Sequence, residues 1–394
     1  MSEVYLDNNA TTRVDPAVLA AMLPFFGERY GNPSSMHAFG GGVGRDVARA
    51  REQVAALLGC SPREVLFTSC GTEGDNTAIR SALEAQPGKR HFVTTRVEHP
   101  AVLGVAHRLE EQGCDVTLLG VDDQGRLDLE ELRAAIRKDT ALVSVMYANN
   151  ETGVVFPLPE IADICKERGV LLHTDAVQAA GKLPIDLARL PVDMLTLSGH
   201  KLHGPKGVGA LFVRKGTPFR PFLLGGHQER GRRAGTENTA GLVGLGAACE
   251  KAAAHMDGER TRVAALRDRL QAGLAASIPE NMVNGGESPR LPNTLSIAFK
   301  YVEGEAILLM LDRFGICASS GSACTSGSLE PSHVLRAMGV PFTFAHGSVR
   351  FSLSRFTTDA DIDLVLKELP GIIARLREIS PYKAEAGEPP ACTC

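Results

Sequence analysis

VLLHTDAVQ at residues 170–178 and DMLTLSGHK at residues 193–201 share one layout, a short apolar run followed at once by polar side chains. Runs rich in β-branched and aliphatic residues are typical of buried β-strands. Asp175 follows the first run, and Lys201 closes the polar stretch after the second. The two stretches therefore predict strands of a buried sheet that carry polar groups at their carboxyl ends.

The same kind of apolar run recurs along the first two thirds of the chain. Helix-length amphipathic stretches, such as 45–58 and 158–168, lie between most of the runs. Strand alternating with helix is typical of a parallel sheet covered on both faces. We therefore predict an α/β fold whose large domain holds a mostly parallel seven-stranded sheet sandwiched by helices. The predicted strands are 64–68, 91–95, 115–119, 141–147, 170–174, 193–197 and 207–213.

The chain changes character after about residue 255. A long charged helix, Pro and Gly punctuation and two strand-like runs, at 293–300 and 348–354, predict a smaller α+β domain. We place the domain boundaries so that the large domain spans 15–257 and the small domain combines 1–14 with 258–380.

A loop rich in Ser and Gly, SSGSACTSGSLEPS at 319–332, interrupts the small domain. Such a composition cannot pack a core, so a loop of this length requires a functional reason. The last residues, 381–394, are expected to form a disordered tail.

Composition excludes several classes of partner. The 394 residues carry a formal charge of −4 without a basic block, which argues against nucleic acid. No apolar run approaches the roughly 20 residues that cross a bilayer, and the start lacks the features of a signal peptide. We expect a cytoplasmic protein with no membrane partner. In a reducing compartment its nine cysteines are poor candidates for disulfides, and most are expected to be small core residues.

Polar residues follow five of the predicted strands directly. In an open parallel sheet, ligands bind in the crevice at the carboxyl ends of the strands, so these residues should share one rim. Each residue alone has an ordinary explanation as a helix cap, a structural histidine or a surface charge. Five strands that end this way favour a ligand. The polar groups are Ser69–Glu73, Glu98–His99, Asn149–Glu151, Asp175 with Gln178, and Ser198–Lys201.

One part of this rim suits a phosphate. The helix predicted to begin at Gly71 and Thr72 would direct N–H and O–H donors at an anion. Ser198 and His200 could add two more donors.

The remainder suits an aromatic aldehyde. Asp175 can hold a protonated ring nitrogen by a charge-assisted hydrogen bond, and the imidazole of His99 can stack on the ring. The amine of Lys201 can form an imine with the aldehyde. Phosphate, ring nitrogen and aldehyde together describe pyridoxal 5′-phosphate.

Competing motifs are incomplete. The stretch FGGGVG at 39–44 would need a third glycine at Arg45 to complete GxGxxG, and no GxxxxGK[ST] motif is present. His200 and His203 have helical spacing but no glutamate partner, so we expect no metal site.

Together these motifs make the chain resemble the cysteine desulfurases, which belong to the class V aminotransferase group of fold-type I pyridoxal phosphate enzymes. Within that family it is most similar to the nitrogen-fixation branch. The family motifs are LDNNATT at 6–12, Thr72-Glu73, Glu98-His99, NNETG at 149–153, DAVQ at 175–178, SGHK at 198–201 and SSGSACTS at 319–326; the branch motifs are DNNA at 7–10, FTSCG at 67–71 and GGHQERGRRAGTEN at 225–238.

The resemblance implies roles around the cofactor. Lys201 would bind it covalently, Asp175 would pair with the ring nitrogen and Gln178 would bond the ring oxygen. His99 would stack on the ring and take part in proton transfer. Gly71, Thr72, Ser198 and His200 would bind the phosphate. Thr236 of the partner subunit would bind it as well.

The resemblance also implies a substrate site. Asn150 and Arg350 would hold the carboxylate of L-cysteine, and Asn150 would also contact the cofactor. Cys324 would be the nucleophile. The chemistry independently requires such a thiolate, because deprotonation at Cα makes the substrate sulfur electrophilic. Alanine and a persulfide on Cys324 would result, and a long loop lets that sulfur reach both substrate and acceptor.

The resemblance therefore predicts a homodimeric cysteine desulfurase that passes sulfur to an iron–sulfur cluster scaffold protein. In the branch that the chain resembles, these clusters serve nitrogenase. Two alternatives stay open. One is a selenocysteine lyase or another class V transferase. The other is a non-catalytic sulfur or metal carrier with Cys317, Cys324, Cys392 and Cys394 as ligands.

Overall fold

The computed structural model describes residues 3–320 and 331–380. All seven predicted strands are present and form one seven-stranded sheet. The twelve strands within these two ranges are β1 Val4–Tyr5, β2 Val65–Thr68, β3 His91–Thr95, β4 Asp115–Leu119, β5 Thr140–Ser144, β6 Leu171–Asp175, β7 Met194–Ser198, β8 Gly209–Val213, β9 Asn281–Val283, β10 Thr294–Phe299, β11 Ile316–Cys317 and β12 Ser348–Ser352.

Helices separate these strands. The helices are α1 Pro16–Met22, α2 Pro24–Gly27, α3 Ala38–Leu58, α4 Gly71–Glu84, α5 Pro100–Glu111, α6 Leu129–Ala135, α7 Leu158–Arg168, α8 Gln228–Gly231, α9 Thr239–Gly258, α10 Ala264–Ser277, α11 Gly304–Asp312, α12 His333–Ala337, α13 Phe342–Ala345 and α14 Asp359–Ile379. The long charged helix predicted after residue 255 corresponds to α10, which is continuous with α9 through a π-helical turn at Glu259–Val263.

The large sheet has the strand order β2-β8-β7-β6-β5-β3-β4. Strands β3 to β7 pair in parallel, whereas β8 runs antiparallel to both of its neighbours, β2 and β7. The mostly parallel sheet of the predicted α/β fold is therefore confirmed. Six of its seven strands are almost entirely buried because apolar side chains cover both faces, whereas the edge strand β4 is largely half-exposed.

Strand β5 ends earlier than the predicted 141–147. The backbone N–H of Met146 donates to the buried carboxylate of Glu98 at 2.9 Å instead of to a neighbouring strand. The backbone hydrogen bonds to β6 nevertheless continue, because the N–H groups of Val145 and Tyr147 donate to the carbonyls of His173 and Asp175 at 3.2 and 2.8 Å.

The second part of the fold contains a three-stranded antiparallel sheet, β12-β10-β9, and a short parallel pair, β1-β11. A separate apolar cluster joins Val4 and Leu6 to side chains between Val263 and Ile373. This agrees with a small domain that includes the N-terminus, and the boundaries at 15–257, 1–14 and 258–380 stay a prediction. The predicted tail at 381–394 and most of the predicted loop at 319–332 lie outside the described residues.

No helix in the described ranges is both long and apolar enough to cross a lipid bilayer.

Candidate active site

A cavity of about 400 Å³ opens at the carboxyl ends of β5, β6 and β7. This is the position that the strand pattern predicts, because polar turns after parallel strands meet at one edge of the sheet. The cavity is lined by ten of the twelve predicted site residues: Gly71, Thr72, His99, Asn150, Asp175, Gln178, Ser198, His200, Lys201 and Arg350.

One end of the cavity is suited to an anion. Helix α4 begins there at Gly71, and no side chain caps its first N–H groups. A side chain at Gly71 would place a Cβ atom 2.9 Å from Val177 Cγ2, so only glycine lets the helix start so close to the sheet. Ser198 is 2 % exposed and its hydroxyl has no hydrogen-bond partner. Backbone amides and an unsatisfied hydroxyl are the groups that bind a phosphate.

His200 lies beside this end in its neutral form. Burial and the neighbouring Lys201 ammonium lower the pKa of His200 to about 4. Its Nδ1 atom lies 3.2 Å from Thr11 Oγ1. A neutral imidazole can still donate one N–H, so the residue can serve an anion without carrying charge.

The floor of the cavity carries an acid and an amide. Asp175 ends β6, is 7 % exposed and accepts the Val177 N–H at 2.8 Å. Burial raises its pKa, whereas that hydrogen bond and Lys201 favour the carboxylate. Gln178 donates to the Asn9 carbonyl at 2.9 Å, and its own Oε1 is buried without a partner. Both side chains therefore keep acceptor capacity for a ligand.

Lys201 follows β7 on a short 3₁₀ turn, Gly199–Lys201. Its Nζ donates to the backbone carbonyls of Asn9 and Ala10 at 2.6 and 2.7 Å. Two carbonyls at these distances hold the amine in the cavity as an ammonium group. Asn9 and Ala10 belong to the DNNA motif at 7–10, so the structure places the backbone of that motif against the lysine.

His99 begins α5 and faces the same cavity. Its Nδ1 accepts the Ala101 N–H at 3.1 Å, which leaves the proton of the neutral ring on Nε2. Burial, Lys201 and His333 together lower the pKa of His99 to about 4. The ring is thus neutral near pH 7 and offers a flat face and one N–H donor.

Arg350 on β12 forms the opposite end and is 3 % exposed. Its Nη1 donates to the Asn150 carbonyl at 2.9 Å and its Nη2 to Asp7 Oδ1 at 2.8 Å. The Nε atom is buried without a partner. One terminal nitrogen of Arg350, the residue predicted to hold the substrate carboxylate, is therefore already bonded to Asp7.

Two carboxylates near the floor were not predicted as site residues. Asp75 is 1 % exposed and lines the cavity, where its Oδ1 accepts no hydrogen bond but lies 3.6 Å from His173 Nε2. It comes one helical turn after Thr72, a spacing that could have revealed it. Burial and the nearby Asp175 raise its pKa well above the ordinary value. Burial also raises the pKa of Glu98 to about 8, against hydrogen bonds from Met146 and Thr95. These acids limit the negative charge beneath the ligand to little more than that of Asp175.

Two predicted residues lie elsewhere. Thr236 is exposed and lines a separate cavity of about 140 Å³ beside Ser69 and Arg233, so within one chain it does not reach the predicted phosphate site. Cys324 lies outside the described residues. The six cysteines that the structure describes are free, and those at 60, 114, 165 and 249 pack against the core as predicted. Among the described residues no group of three or more His, Cys, Asp or Glu side chains could hold a metal ion.

The unsatisfied groups test whether a cofactor fits. An uncapped helix start and the lone hydroxyl of Ser198 suit a phosphate, the carboxylate of Asp175 suits a protonated ring nitrogen, and Gln178 Oε1 suits a ring hydroxyl. The amine of Lys201 lies in the same cavity, within reach of an aldehyde. The residues present therefore fit pyridoxal 5′-phosphate.

Comparison with known proteins gives the class. The family model of the class-V aminotransferases matches residues 4–365, and the chain belongs to that family. Members of this family depend on pyridoxal phosphate, in agreement with the cavity.

Individual relatives are more specific. The chain is 62 % identical over 388 residues to a cysteine desulfurase of Trichormus azollae, covering 98 % of this chain and 97 % of that one. It is 60 % identical over 383 residues to the cysteine desulfurase NifS of Azotobacter vinelandii, covering 97 % and 95 %. A solved NifS-like protein superposes with a TM-score of 0.89 at 41 % identity, covering 95 % of this chain and all of that one.

Proposed function

We propose that this protein is a pyridoxal-phosphate-dependent cysteine desulfurase that converts L-cysteine to L-alanine and keeps the sulfur as a persulfide on Cys324. The observation that carries the proposal is the convergence of an anion site, an acid, a lysine and an arginine on one cavity. That set can bind an amino acid and a phosphorylated pyridine aldehyde at once. The relatives named above supply the desulfurase chemistry.

The cofactor, when bound, supplies an electron sink for the pair of electrons left after the Cα proton is removed. Asp175 would keep the ring nitrogen protonated, and the neutral imidazole of His99 would stack on the ring. Nζ of Lys201 takes the Cα proton once it has released its own proton. Arg350 and Asn150 orient the substrate carboxylate.

Cys324 completes the reaction as a thiolate. It attacks the substrate sulfur, so that an S–S bond forms while the carbon–sulfur bond breaks. The electron pair of the broken bond stays on the substrate's Cβ side, where Cβ takes up a proton. Nζ of Lys201 returns a proton to Cα, and alanine results. The extra sulfur atom remains on Cys324 until an acceptor removes it.

Partners belong to the same proposal. The sulfur acceptor is an iron–sulfur cluster scaffold protein that serves nitrogenase, as the resemblance to the nitrogen-fixation branch implies, and the working compartment is the cytoplasm. The enzyme acts as a homodimer in which Thr236 reaches the partner's phosphate site. An exposed apolar surface near the N-terminus, with Phe26, Tyr30 and Met36, supports a protein interface. Sedimentation of the holoenzyme tests the dimer.

An absorption spectrum before and after addition of L-cysteine, followed by assays of alanine and sulfide, tests the function. We expect a visible cofactor band that changes with cysteine, and stoichiometric alanine. Cys324→Ala should keep the band and bind cysteine but lose turnover, whereas the matched control Cys114→Ala should keep turnover.

Other outcomes would favour the alternatives. Selenide release from selenocysteine with no alanine from cysteine would favour a selenocysteine lyase. A colourless protein that binds iron or zinc stoichiometrically would favour a carrier.

A further inference from the structure

Strand β2 lies at the edge of the large sheet, where backbone groups usually face water. On its open side the Phe67 N–H donates to Glu229 Oε2 at 3.0 Å. The Val65 carbonyl accepts from Arg51 and Arg230, both at 2.9 Å. Side chains from α3 and from the segment 225–238 therefore replace the missing neighbouring strand. We call the segment 225–238 the edge loop.

The first anchor of the edge loop is a buried ion pair. Glu229 accepts from both terminal nitrogens of Arg51, at 2.6 and 2.7 Å. Glu229 and Arg230 have φ values of 49° and 63°, in the left-handed region that costs a non-glycine residue roughly 1–2 kcal/mol. The loop keeps this conformation because the ion pair with Arg51 and the hydrogen bonds to the edge of β2 offset the free-energy cost of the left-handed backbone.

The second anchor lies at the phosphate end of the cavity. Arg233 Nε and Nη2 donate to the two carboxylate oxygens of Glu73 at 2.9 and 3.0 Å. The same carboxylate accepts the Ser69 N–H at 2.7 Å. Glu73 belongs to the first turn of α4, directly after Thr72. The backbone of residues 65 and 67 is thus bonded to side chains of the edge loop. Residue 69 is bonded to Glu73, which Arg233 of the edge loop holds in place.

The charge of Glu73 explains why the fork is needed. Burial alone would raise its pKa, but the fork with Arg233 and the Ser69 hydrogen bond outweigh burial and lower it. Glu73 is therefore a carboxylate within one turn of the helix start that receives a phosphate. Without Arg233 its charge would repel that phosphate.

We propose that Arg233 and Glu73 are positioning residues for the cofactor phosphate. The fork fixes the turn from Ser69 to Gly71, so that the first amides of α4 point into the cavity, and it neutralises a carboxylate that would otherwise oppose the anion. This depends on the proposed function only for the identity of the phosphate ligand. Neither residue lines the cavity itself.

The test uses the full-length protein, freed of cofactor and titrated with pyridoxal 5′-phosphate or with pyridoxal, which lacks the phosphate. Arg233→Met should weaken binding of the phosphorylated form by about 10- to 100-fold, because it breaks charge-assisted hydrogen bonds and leaves the Glu73 carboxylate without its cationic partner. Arg233→Lys keeps the charge but not the fork and should lose less. Binding of pyridoxal should stay within about twofold, a change worth less than RT.

A double variant separates charge from packing. Glu73→Gln added to Arg233→Met removes the unpaired charge of residue 73 and keeps an acceptor for the Ser69 N–H. It should therefore recover most of the lost affinity. Arg133→Met is the matched control, because Arg133 forms an Arg–Glu pair with Glu167 on the outer surface. It should change neither affinity.

Several results would overturn the inference. These are equal losses for pyridoxal and its phosphate, unchanged binding in both Arg233 variants, or a double variant no tighter than the single one. If Arg233→Met does not fold, Arg233→Lys decides by the same ratio of affinities. Failure of the wild type to bind either aldehyde would instead overturn the proposed function.

Discussion

The two ends of the cavity are assembled in different ways. At the cofactor end, Asp175 and Lys201 each lie within three residues of the end of a strand in one parallel sheet. At the substrate end, Arg350 meets Asp7 and Asn150, which are 343 and 200 residues away in sequence. Local strand-and-turn geometry therefore builds the end proposed for the cofactor, whereas long-range packing builds the end proposed for the substrate. The two ends should fail separately when mutated.

Lys201→Ala should have the largest effect. It removes the only amine proposed to take the Cα proton, so turnover should fall by at least about 10²–10⁴-fold, the usual contribution of a positioned base. The visible band of the protein-bound cofactor should also disappear from the absorption spectrum. Lys206→Ala, an exposed lysine five residues on, should keep both. An unchanged band in Lys201→Ala would show that another amine holds the cofactor.

Asp175→Asn should have the next largest effect at the same end. An amide cannot form the charge-assisted bond to a protonated ring nitrogen, so turnover should fall by about 10- to 100-fold. Asp193→Asn is the control, because Asp193 accepts the Leu172 N–H at 2.8 Å on the same strand pair but lies outside the cavity. Steady-state kinetics measure the turnover of both variants. An equal loss in Asp193→Asn would contradict a special role of Asp175 at the cofactor end.

The same contrast explains what the sequence could predict. The seven strands and nine of the ten site residues that line the cavity follow from apolar runs and from what comes directly after them. The tenth, Arg350, lies within β12 and was predicted only from the family resemblance. Asp75 also follows from helix periodicity after Thr72. The carbonyls of Asn9 and Ala10 could not be predicted, because a backbone group leaves no trace in the side-chain pattern. The Arg233–Glu73 fork joins residues 160 positions apart through a loop with left-handed backbone, which no local pattern specifies.

Arg350→Lys probes the substrate end. Lysine cannot keep both the Asn150 and the Asp7 contacts in a planar fork, so the KM for L-cysteine should rise by about 10- to 100-fold. The cofactor band should not change, because no cofactor-end contact is lost. Asp7→Asn should raise KM less.

Arg355→Lys is the matched control for that substitution. Arg355 pairs with Asp15 at 2.7 Å and likewise ties the second part of the fold to the N-terminal segment. It should lower the melting temperature without changing KM. A cofactor band lost in Arg350→Lys would show that the two ends are coupled after all.

Glu98→Gln should have the smallest effect, and on stability alone. Glu98 is completely buried, and burial raises its pKa from 4.5 to about 8. Between those pH values the unfolded chain releases this proton while the folded chain keeps it, so the wild type loses stability as pH rises from 4.5 to 8. Glutamine cannot ionise, and its oxygen can still accept from Met146 and Thr95. The variant should therefore gain stability relative to the wild type as pH rises.

Urea unfolding at pH 5 and pH 8 measures this difference between the two proteins. Exposed Glu84 serves as the control, since Glu84→Gln should shift stability equally at both values. If Glu98→Gln lost stability toward pH 8, Glu98 would be a carboxylate in the folded protein. The floor of the cavity would then carry two charges beside the ligand, and the cofactor end could no longer be explained by Asp175 and its turn alone.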